Sequence, residues 1–314
     1  MSARPDPLPR LYRWRTNAIQ LPILTVITVI CGSISLLVSF ADKNGRLQHR
    51  IARFWARAVV WGTGCSITVR GMENLRCQPV AVYASNHTSY MDTPVIFGTL
   101  PFQFRILAKK ELWPIAFIGW YLNRSGQIPI DTANPHATLS SLSVGVKALR
   151  SGTSLFVFPE GGRTATGELK PFLSGAAYLA IRAQVPLVPI ALTGVYDLLP
   201  IHTRHLYPGE LTVRVGEPIE TKGMTPRQTD ELNGLLRAAI ERLLSSLEPA
   251  VRDRLDMTGL IRRLLAESAV TISTYGTDGQ WGEIDNAGDV ALYETMLADK
   301  TLVLEPVAPA TGAG

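Results

Sequence analysis

The segment from Val80 to Asp92, VAVYASNHTSYMD, decides the fold that this sequence predicts. Its first six residues, 80–85, are apolar or small and include β-branched valines, a composition typical of a buried strand. The polar run NHTSYMD follows as a turn, and from Thr93 a helix can begin with Pro94 in its first turn. A strand, a short turn and a helix form the repeating unit of α/β proteins.

The same alternation continues along the chain. Predicted strands lie at 66–70, 79–85, 103–108, 127–130, 154–158, 186–193 and 210–215, and predicted helices at 91–99, 111–122, 135–150, 173–184 and 226–247. Strands that alternate with helices favour the α/β class, with a mostly parallel central sheet flanked by helices. In such sheets the reactive side chains lie just beyond the carboxyl ends of the strands.

His87 stands directly after one such strand end, and Asp92 follows five residues later. If the turn folds back, Asp92 accepts a hydrogen bond from one ring nitrogen of His87 and leaves the other nitrogen free to take a proton. For such a pair taken alone, local turn and capping bonds are the commoner explanation.

A second junction between a strand and a loop changes that balance. Residues 156–164, FVFPEGGRT, run from an apolar strand into a glycine-rich loop that carries Glu160 and Arg163. A guanidinium can fork onto two phosphate oxygens. Gly161 and Gly162 allow the backbone to approach a ligand closely. For Arg163 taken alone, however, a solvated surface arginine is the default explanation.

Four blocks of sequence together resemble the phospholipid/glycerol acyltransferase family, which includes bacterial 1-acylglycerol-3-phosphate acyltransferases. NHTSYMD is similar to the family's N-H-x-x-x-x-D block, and FPEGGRT is similar to its F-P-E-G-T-R-S block. The second block is resembled by KKEL at 109–112 and GQIPID at 126–131, and the fourth by VPLVPI at 185–190. The resemblance covers residues 69–217.

The resemblance implies transfer of an acyl group from a thioester, either acyl-CoA or acyl carrier protein, to the free hydroxyl of 1-acylglycerol-3-phosphate. The product would be phosphatidic acid, and neither a metal nor another cofactor is implied. His87 is then the general base and Asp92 its support, with direct attack by the acceptor. The implied substrate-binding residues are Lys109, Glu160, Gly161, Gly162 and Arg163.

Three departures from the family pattern concern the acceptor. Thr132 stands where the family often has Arg, Gly162 replaces the usual Thr, and KPFLSG at 170–175 lacks the common Lys before its Gly. Fewer bases leave other acceptors open: glycerol-3-phosphate, a lysophospholipid, or a non-phosphorylated amino or sugar lipid. A membrane lipid-binding protein without turnover is the non-enzyme alternative, and an intact His87 and Asp92 speak against it.

Two assignments stay open between functional and structural roles. Glu160 either orients the acceptor or braces Arg163, and a purely structural role is nearly as well supported. Residues 185–190 either line a groove for the acyl chain or form an ordinary core strand.

Charge is unevenly distributed along the chain. The net charge is +5, but the residues after 263 hold one base against eight acids, which leaves 30 bases against 18 acids in the first 263 residues. A basic body suits an anionic membrane surface and acidic substrates. No nucleic-acid recognition motif accompanies these bases, so no nucleic-acid partner is expected.

The amino-terminal part predicts a membrane anchor of two helices. Residues 16–41 carry no charge, and a helix of about 20 apolar residues can span a bilayer. Residues 46–61 form an amphipathic helix whose bases, Arg50, Arg53 and Arg57, are expected to reach lipid phosphates. Because bases lie on both sides of the apolar stretch, a bent anchor with both ends in the cytoplasm is favoured over a full span.

The chain is therefore expected to have three parts. Membrane-anchoring helices occupy residues 1–62, an acyltransferase catalytic domain occupies 63–250, and an acidic appendage of unknown role occupies 251–314. The expected location is the cytoplasmic membrane, with the catalytic domain facing the cytoplasm.

Overall fold

The structure of the chain, a computed structural model, describes residues 10–42, 44–76, 80–115, 117–131, 133–199, 203 and 205–245. The chain divides into two compact units, Met1–Leu247 and Glu248–Gly314. All described residues belong to the first unit. The expected appendage at 251–314 lies outside the described residues, and so does Thr132.

Seven strands form one sheet, close to the places that the sequence predicts. In chain order they are β1 (Ser66–Arg70), β2 (Val82–Ser85), β3 (Phe104–Lys109), β4 (Ile128–Ile130), β5 (Ser154–Val157), β6 (Leu187–Thr193) and β7 (Glu210–Val215). Their order across the sheet is β1-β7-β6-β2-β5-β3-β4, and all neighbours are parallel except β6 and β7. The predicted α/β class with a mostly parallel sheet is confirmed.

Helices connect and flank these strands. They are α1 (Arg10–Arg15), α2 (Leu21–Val38), α3 (Arg46–Thr63), α4 (Glu73–Arg76), α5 (Asp92–Thr99), α6 (Ile118–Arg124), α7 (Pro135–Arg150), α8 (Gly175–Ala183), α9 (Val195–Leu198) and α10 (Thr229–Ser245). A π-helical turn at Thr16–Gln20 joins α1 to α2, and 3-10 turns lie at Lys110–Leu112 and Pro226–Gln228.

The prediction of one helix over 111–122 is wrong. A 3-10 turn ends at Leu112, and α6 begins only at Ile118. Pro114 lies between them, and proline has no N–H to donate and clashes with a preceding helical turn. Phe117 then adopts a φ of 63°, which a regular helix does not allow.

β2 and β5 are buried along their whole length. Tyr83 of β2 belongs to the core cluster that contains α3 and α5, whereas Val82 and Ala84 belong to the cluster with α7, α8 and α10. Successive side chains of a strand point to opposite faces, so helices cover the sheet on both sides. This two-sided burial explains why residues 80–85 read as a continuous apolar run.

The pairing of β2 with β5 places the two motif loops side by side. These strands are parallel neighbours, with Ala84 opposite Val157, so the loops after them leave the same edge of the sheet. The carbonyl of His87 accepts a hydrogen bond from the N–H of Thr164 at 3.1 Å. Loops that are distant in sequence thus meet at the carboxyl edge.

The amino-terminal region contains the two predicted helices, α2 and α3, which pack against each other. The helical stretch Arg13–Val38 has 26 residues and is long and apolar enough to cross a membrane. Most of it is unburied, and its exposed large apolar side chains include Ile23, Val26, Val29, Ile30, Ile34 and Leu37.

The two faces of α3 have different surroundings. One face packs against α5, while Phe54 on the outer face is 67% exposed. Arg53 and Arg57 donate hydrogen bonds to the carbonyls of Pro101 (3.1 Å) and Gly98 (2.9 Å), just beyond and within the last turn of α5. The carbonyls at a helix carboxyl end attract cations. Each guanidinium keeps further N–H donors, so the expectation that these two bases reach lipid phosphates stays a prediction.

Candidate active site

His87 and Asp92 form a hydrogen-bonded pair between β2 and α5. Nδ1 of His87 lies 2.8 Å from Oδ2 of Asp92, and the same oxygen accepts the backbone N–H groups of Thr88 (2.6 Å) and Ser89 (2.8 Å). Asp92, the first residue of α5, is fully buried. The turn folds back as the sequence predicts, and three N–H groups satisfy the buried carboxylate.

The surroundings of His87 keep its ring neutral. Because a carboxylate accepts, Nδ1 carries the proton and Nε2 presents a lone pair. The ring stacks on Phe158, with centroids 3.9 Å apart. Burial lowers the pKa of His87, the hydrogen bond and charge of Asp92 oppose this, and the charges of Arg163 and Lys109 lower the pKa further. Near pH 7 Nε2 is able to take a proton.

Glu160 connects the two loops from behind His87. Its Oε1 accepts the N–H of His87 at 2.7 Å, and its Oε2 accepts the N–H of Lys170 at 3.0 Å. Burial raises the pKa of this carboxyl, and the two N–H groups oppose that rise. No described contact joins Glu160 to Arg163, so the bracing of Arg163 that the sequence left open is not observed.

Arg163 lies over the histidine loop. Its Nε donates to the carbonyl of Ser89 at 3.2 Å, and its guanidinium carbon lies 4.0 Å from the ring centre of Tyr90. Burial lowers the pKa of this guanidinium, which nevertheless stays charged in proteins. Within the described part of the chain only Nε forms a hydrogen bond, which leaves the two terminal nitrogens available for an anion.

A pocket of about 230 Å³ opens beside His87. Its apolar lining comes chiefly from β3, β4 and β5, through Ile106, Leu107, Ala108, Ile130 and Val157. Lys109 and Arg163 give it positive charge. A neutral base, an apolar wall and a cationic region therefore share one cavity.

The structure brings the predicted site residues together. His87, Lys109, Gly161, Gly162 and Arg163 line the pocket, whereas Asp92 and Glu160 are buried behind it. Gly161 has a left-handed φ of 66°, and a Cβ there would lie 2.7 Å from Cδ1 of Leu173. The left-handed φ favours a glycine at this position, whereas the exposed side chain of Leu173 could move away from a Cβ.

Four residues with contacts in the site escaped the sequence analysis: Tyr90, Phe158, Thr164 and Lys170. The first three lie inside the two motifs, so their positions could have been singled out from the sequence. Their ring contacts and the hydrogen bond of Thr164 to the histidine loop depend on the fold and could not be predicted from the sequence. Lys170 lies beyond both motifs, in the stretch KPFLSG that was singled out only for its missing Lys before Gly175.

The fourth block of the resemblance, 185–190, does not line the pocket. Leu187, Val188 and Ile190 lie at the start of β6 and are fully buried in the core. Of the two roles left open for this block, the core strand is the one observed. The apolar lining comes largely from β3 instead.

Comparisons with known proteins agree with this geometry. A family model described as Acyltransferase matches residues 66–193. The 1-acyl-sn-glycerol-3-phosphate acyltransferase of Pseudomonas aeruginosa is 32% identical over 233 residues, which are 72% of this chain and 89% of that protein. The protein of the same name from Cocos nucifera is 31% identical, with 74% of this chain and 77% of that protein covered.

Other relatives are longer than the matched region. The chain spans 57% of the length of the chloroplastic 1-acyl-sn-glycerol-3-phosphate acyltransferase of Brassica napus, at 30% identity over 63% of this chain. The crystal structure of the 1-acyl-sn-glycerophosphate acyltransferase from Thermotoga maritima matches with a TM-score of 0.63 at 23% identity, over 76% of this chain and 99% of that one. At that identity the structural likeness concerns the fold alone.

The relatives from Pseudomonas aeruginosa and Cocos nucifera decide the family, because the chain covers most of each protein. The match also contains both motif loops and the strands that carry them. The chain belongs to the acyltransferase family, the family of the 1-acyl-sn-glycerol-3-phosphate acyltransferases.

Proposed function

We propose that this protein transfers an acyl group from acyl-CoA or acyl carrier protein to the free hydroxyl of 1-acylglycerol-3-phosphate and so forms phosphatidic acid. The observation that carries the proposal is the His87–Asp92 pair beside Arg163, because it joins a neutral base and a cation in one pocket. The names of the sequence relatives support the same acceptor.

His87 acts as the general base. Its Nε2 takes the proton of the acceptor hydroxyl while the hydroxyl oxygen attacks the carbonyl carbon of the thioester. The carbon–sulfur bond then breaks, and protonated His87 returns the proton to the departing sulfur. Asp92 stabilises the imidazolium in between, and a positioned base contributes a factor of about 10² to 10⁴ in rate.

Arg163 and Lys109 bind the phosphate of the acceptor. The terminal nitrogens of Arg163 supply a planar fork for two phosphate oxygens, and the ammonium of Lys109 adds a point charge in the same pocket. Gly161 and Gly162 leave room for the phosphate near the backbone.

Glu160 supports substrate binding indirectly, because it lies behind the pocket and holds the loops that line it. Its two oxygens hold the backbone N–H groups of His87 and Lys170, and this fixes the loops that carry the base and the cations. The acyl chain lies along the apolar wall that Ile106 and Leu107 help to form.

The helices α2 and α3 hold the protein at the cytoplasmic membrane. The exposed apolar side chains of α2 are more stable in hydrocarbon than in water. The bases on both sides of the apolar stretch support an orientation with both ends, and the catalytic domain, on the cytoplasmic side. In this division residues 1–62 anchor the protein and residues 63–250 catalyse.

Acyl transfer in membrane fractions tests the proposal. Labelled acyl-CoA or acyl carrier protein is offered with lysophosphatidic acid, glycerol-3-phosphate, a lysophospholipid and an amino lipid. We expect lysophosphatidic acid to be preferred and His87→Ala to lower kcat by about 10² to 10⁴. His136→Ala, an exposed histidine on α7, is the matched control and should keep full activity.

Two results would contradict parts of the proposal. Preference for a non-phosphorylated acceptor, with a mild effect of Arg163→Ala, would refute the acceptor. Full activity in His87→Ala would refute the mechanism. If neither donor supported turnover with any acceptor, the lipid-binding alternative would replace the enzyme.

A further inference from the structure

Two lysine side chains converge on Gly162 from different parts of the chain. A Cβ at Gly162 would lie 3.6 Å from Nζ of Lys109 and 3.8 Å from Nζ of Lys170. Lys109 is the last residue of β3, and Lys170 lies in the loop before α8. The two ammonium groups come from distant parts of the sequence, and only the fold brings both close to Gly162.

No described carboxylate forms an ion pair with either ammonium group. Nζ of Lys170 donates to the carbonyl of Gly162 at 3.4 Å. The carboxylate of Glu160 accepts two backbone N–H groups, one of them from Lys170, and the charge of Lys170 acts to lower the pKa of this carboxyl without forming an ion pair. Like charges that approach one point repel each other, so an anion between Lys109 and Lys170 would relieve an unfavourable interaction.

The backbone of Lys170 is fixed on both sides. Its N–H donates to Oε2 of Glu160, and its carbonyl accepts a hydrogen bond from Nη1 of Arg237 at 2.8 Å. Arg237, on α10, also pairs with Glu241 at 2.8 Å. A residue whose backbone is already ordered loses less conformational entropy when its side chain binds a ligand.

Gly162 leaves the space between the ammonium groups open. It has no side chain, and its backbone N–H forms no hydrogen bond within the described residues. It lines the same pocket as Lys109 and Arg163. A tetrahedral oxyanion beside Gly162 would therefore lie near two ammonium groups and near a backbone N–H that is not engaged within the described residues.

We propose that Lys109, Lys170 and the backbone of Gly162 form a binding site for a phosphate dianion, with Lys170 as an additional substrate-binding residue. The inference rests on the proposed function, which brings a phosphate into this pocket. A phosphate of the acceptor and a phosphate of coenzyme A share the required chemistry.

Steady-state kinetics of Lys170→Met and Lys170→Arg test the site. Lys222→Met is the control, because Lys222 is an exposed lysine in a turn that is distant in the sequence. We expect Lys170→Met to raise the acceptor KM about tenfold, the loss of one charge-assisted hydrogen bond, with kcat changed less than about twofold. Lys170→Arg should restore most of the affinity, and Lys222→Met should change nothing. A rise in the KM of acyl-CoA alone would assign the site to the donor's phosphate.

Binding of glycerol-3-phosphate, measured by calorimetry without a donor, separates this site from the proposed reaction. Its affinity should fall about tenfold in Lys170→Met and in Lys109→Met, but not in Lys222→Met. The same fall in a protein that acylates no lysophosphatidic acid would support the site and refute the proposed acceptor. Unchanged affinity, with unchanged KM for both substrates in a folded Lys170→Met, would overturn the site.

Discussion

The carboxyl edge of the sheet and the amino-terminal helix pair differ in how completely their buried polar side chains are hydrogen-bonded. At the edge, both oxygens of Glu160 and Oδ2 of Asp92 are occupied by donors. In the helix pair, Ser35 of α2 and Gln48 of α3 are buried, and their side chains lack a hydrogen-bond partner among the described residues. Large apolar side chains of the same pair are exposed.

This difference shows that the carboxyl edge is the region where buried carboxylates are held by oriented hydrogen-bond donors. A proton-transfer site needs dipoles that are already oriented before the reaction, because reorienting them would raise the barrier. A surface that contacts lipid needs apolar area and little directional bonding. The contrast therefore agrees with the proposed reaction at a membrane surface.

Asp92→Asn changes the carboxylate that accepts three N–H groups at the carboxyl edge, and it should give the largest loss of activity. The amide keeps the volume but removes the charge that stabilises protonated His87, so kcat should fall about 10³-fold. Steady-state acyl transfer measures this, with Asp230→Asn on α10 as the control. A loss below about fivefold in a folded protein would mean that His87 does not depend on Asp92.

Charges placed on the exposed apolar side of α2 test the proposed membrane anchor. Val26→Asp combined with Ile30→Asp should move the protein out of the membrane fraction, because a charge at the centre of a membrane helix costs about 2.5–3.5 kcal/mol. Leu235→Asp, at a similarly exposed position on α10, should not. Equal membrane retention of both variants would refute the role of α2 as an anchor.

The acid limb of kcat/KM gives a smaller and more specific effect. The pKa of His87 lies below its ordinary value, so the base stays neutral and active down to a pH below about 6.5. Arg163→Gln removes a positive charge that lowers this pKa, so the acid limb should move to higher pH. A pH–rate profile of both proteins checks the shift, and a limb that moved to lower pH would contradict the electrostatic coupling.

Much of the fold could be predicted, because the strands and helices follow from patterns of apolar residues over short stretches of sequence. The run at 80–85 reads as a strand buried on both faces, and the structure buries it on both faces. The hydrogen bond between His87 and Asp92 could also be predicted, since both residues belong to one turn. The break between Leu112 and Ile118 was missed, although Pro114 was a visible warning.

The contacts of Glu160 and Lys170 could not be predicted in the same way. Glu160 reaches the N–H of His87 across 73 sequence positions, and this depends on the pairing of β2 with β5. From the sequence, the missing Lys before Gly175 argued for fewer bases near the acceptor. The structure brings the ammonium group of Lys170 close to Gly162 from another position.

The sequence by itself determined the strand–helix alternation, the turn that holds His87 against Asp92 and the apolar helix at the amino terminus. These features depend on neighbours within a few residues, where composition and periodicity act directly. Only the tertiary structure decided that Glu160 supports the backbone, that residues 185–190 are core and that Lys109 and Lys170 both approach Gly162. Such contacts depend on the order of strands in the sheet, and sequence periodicity does not encode that order.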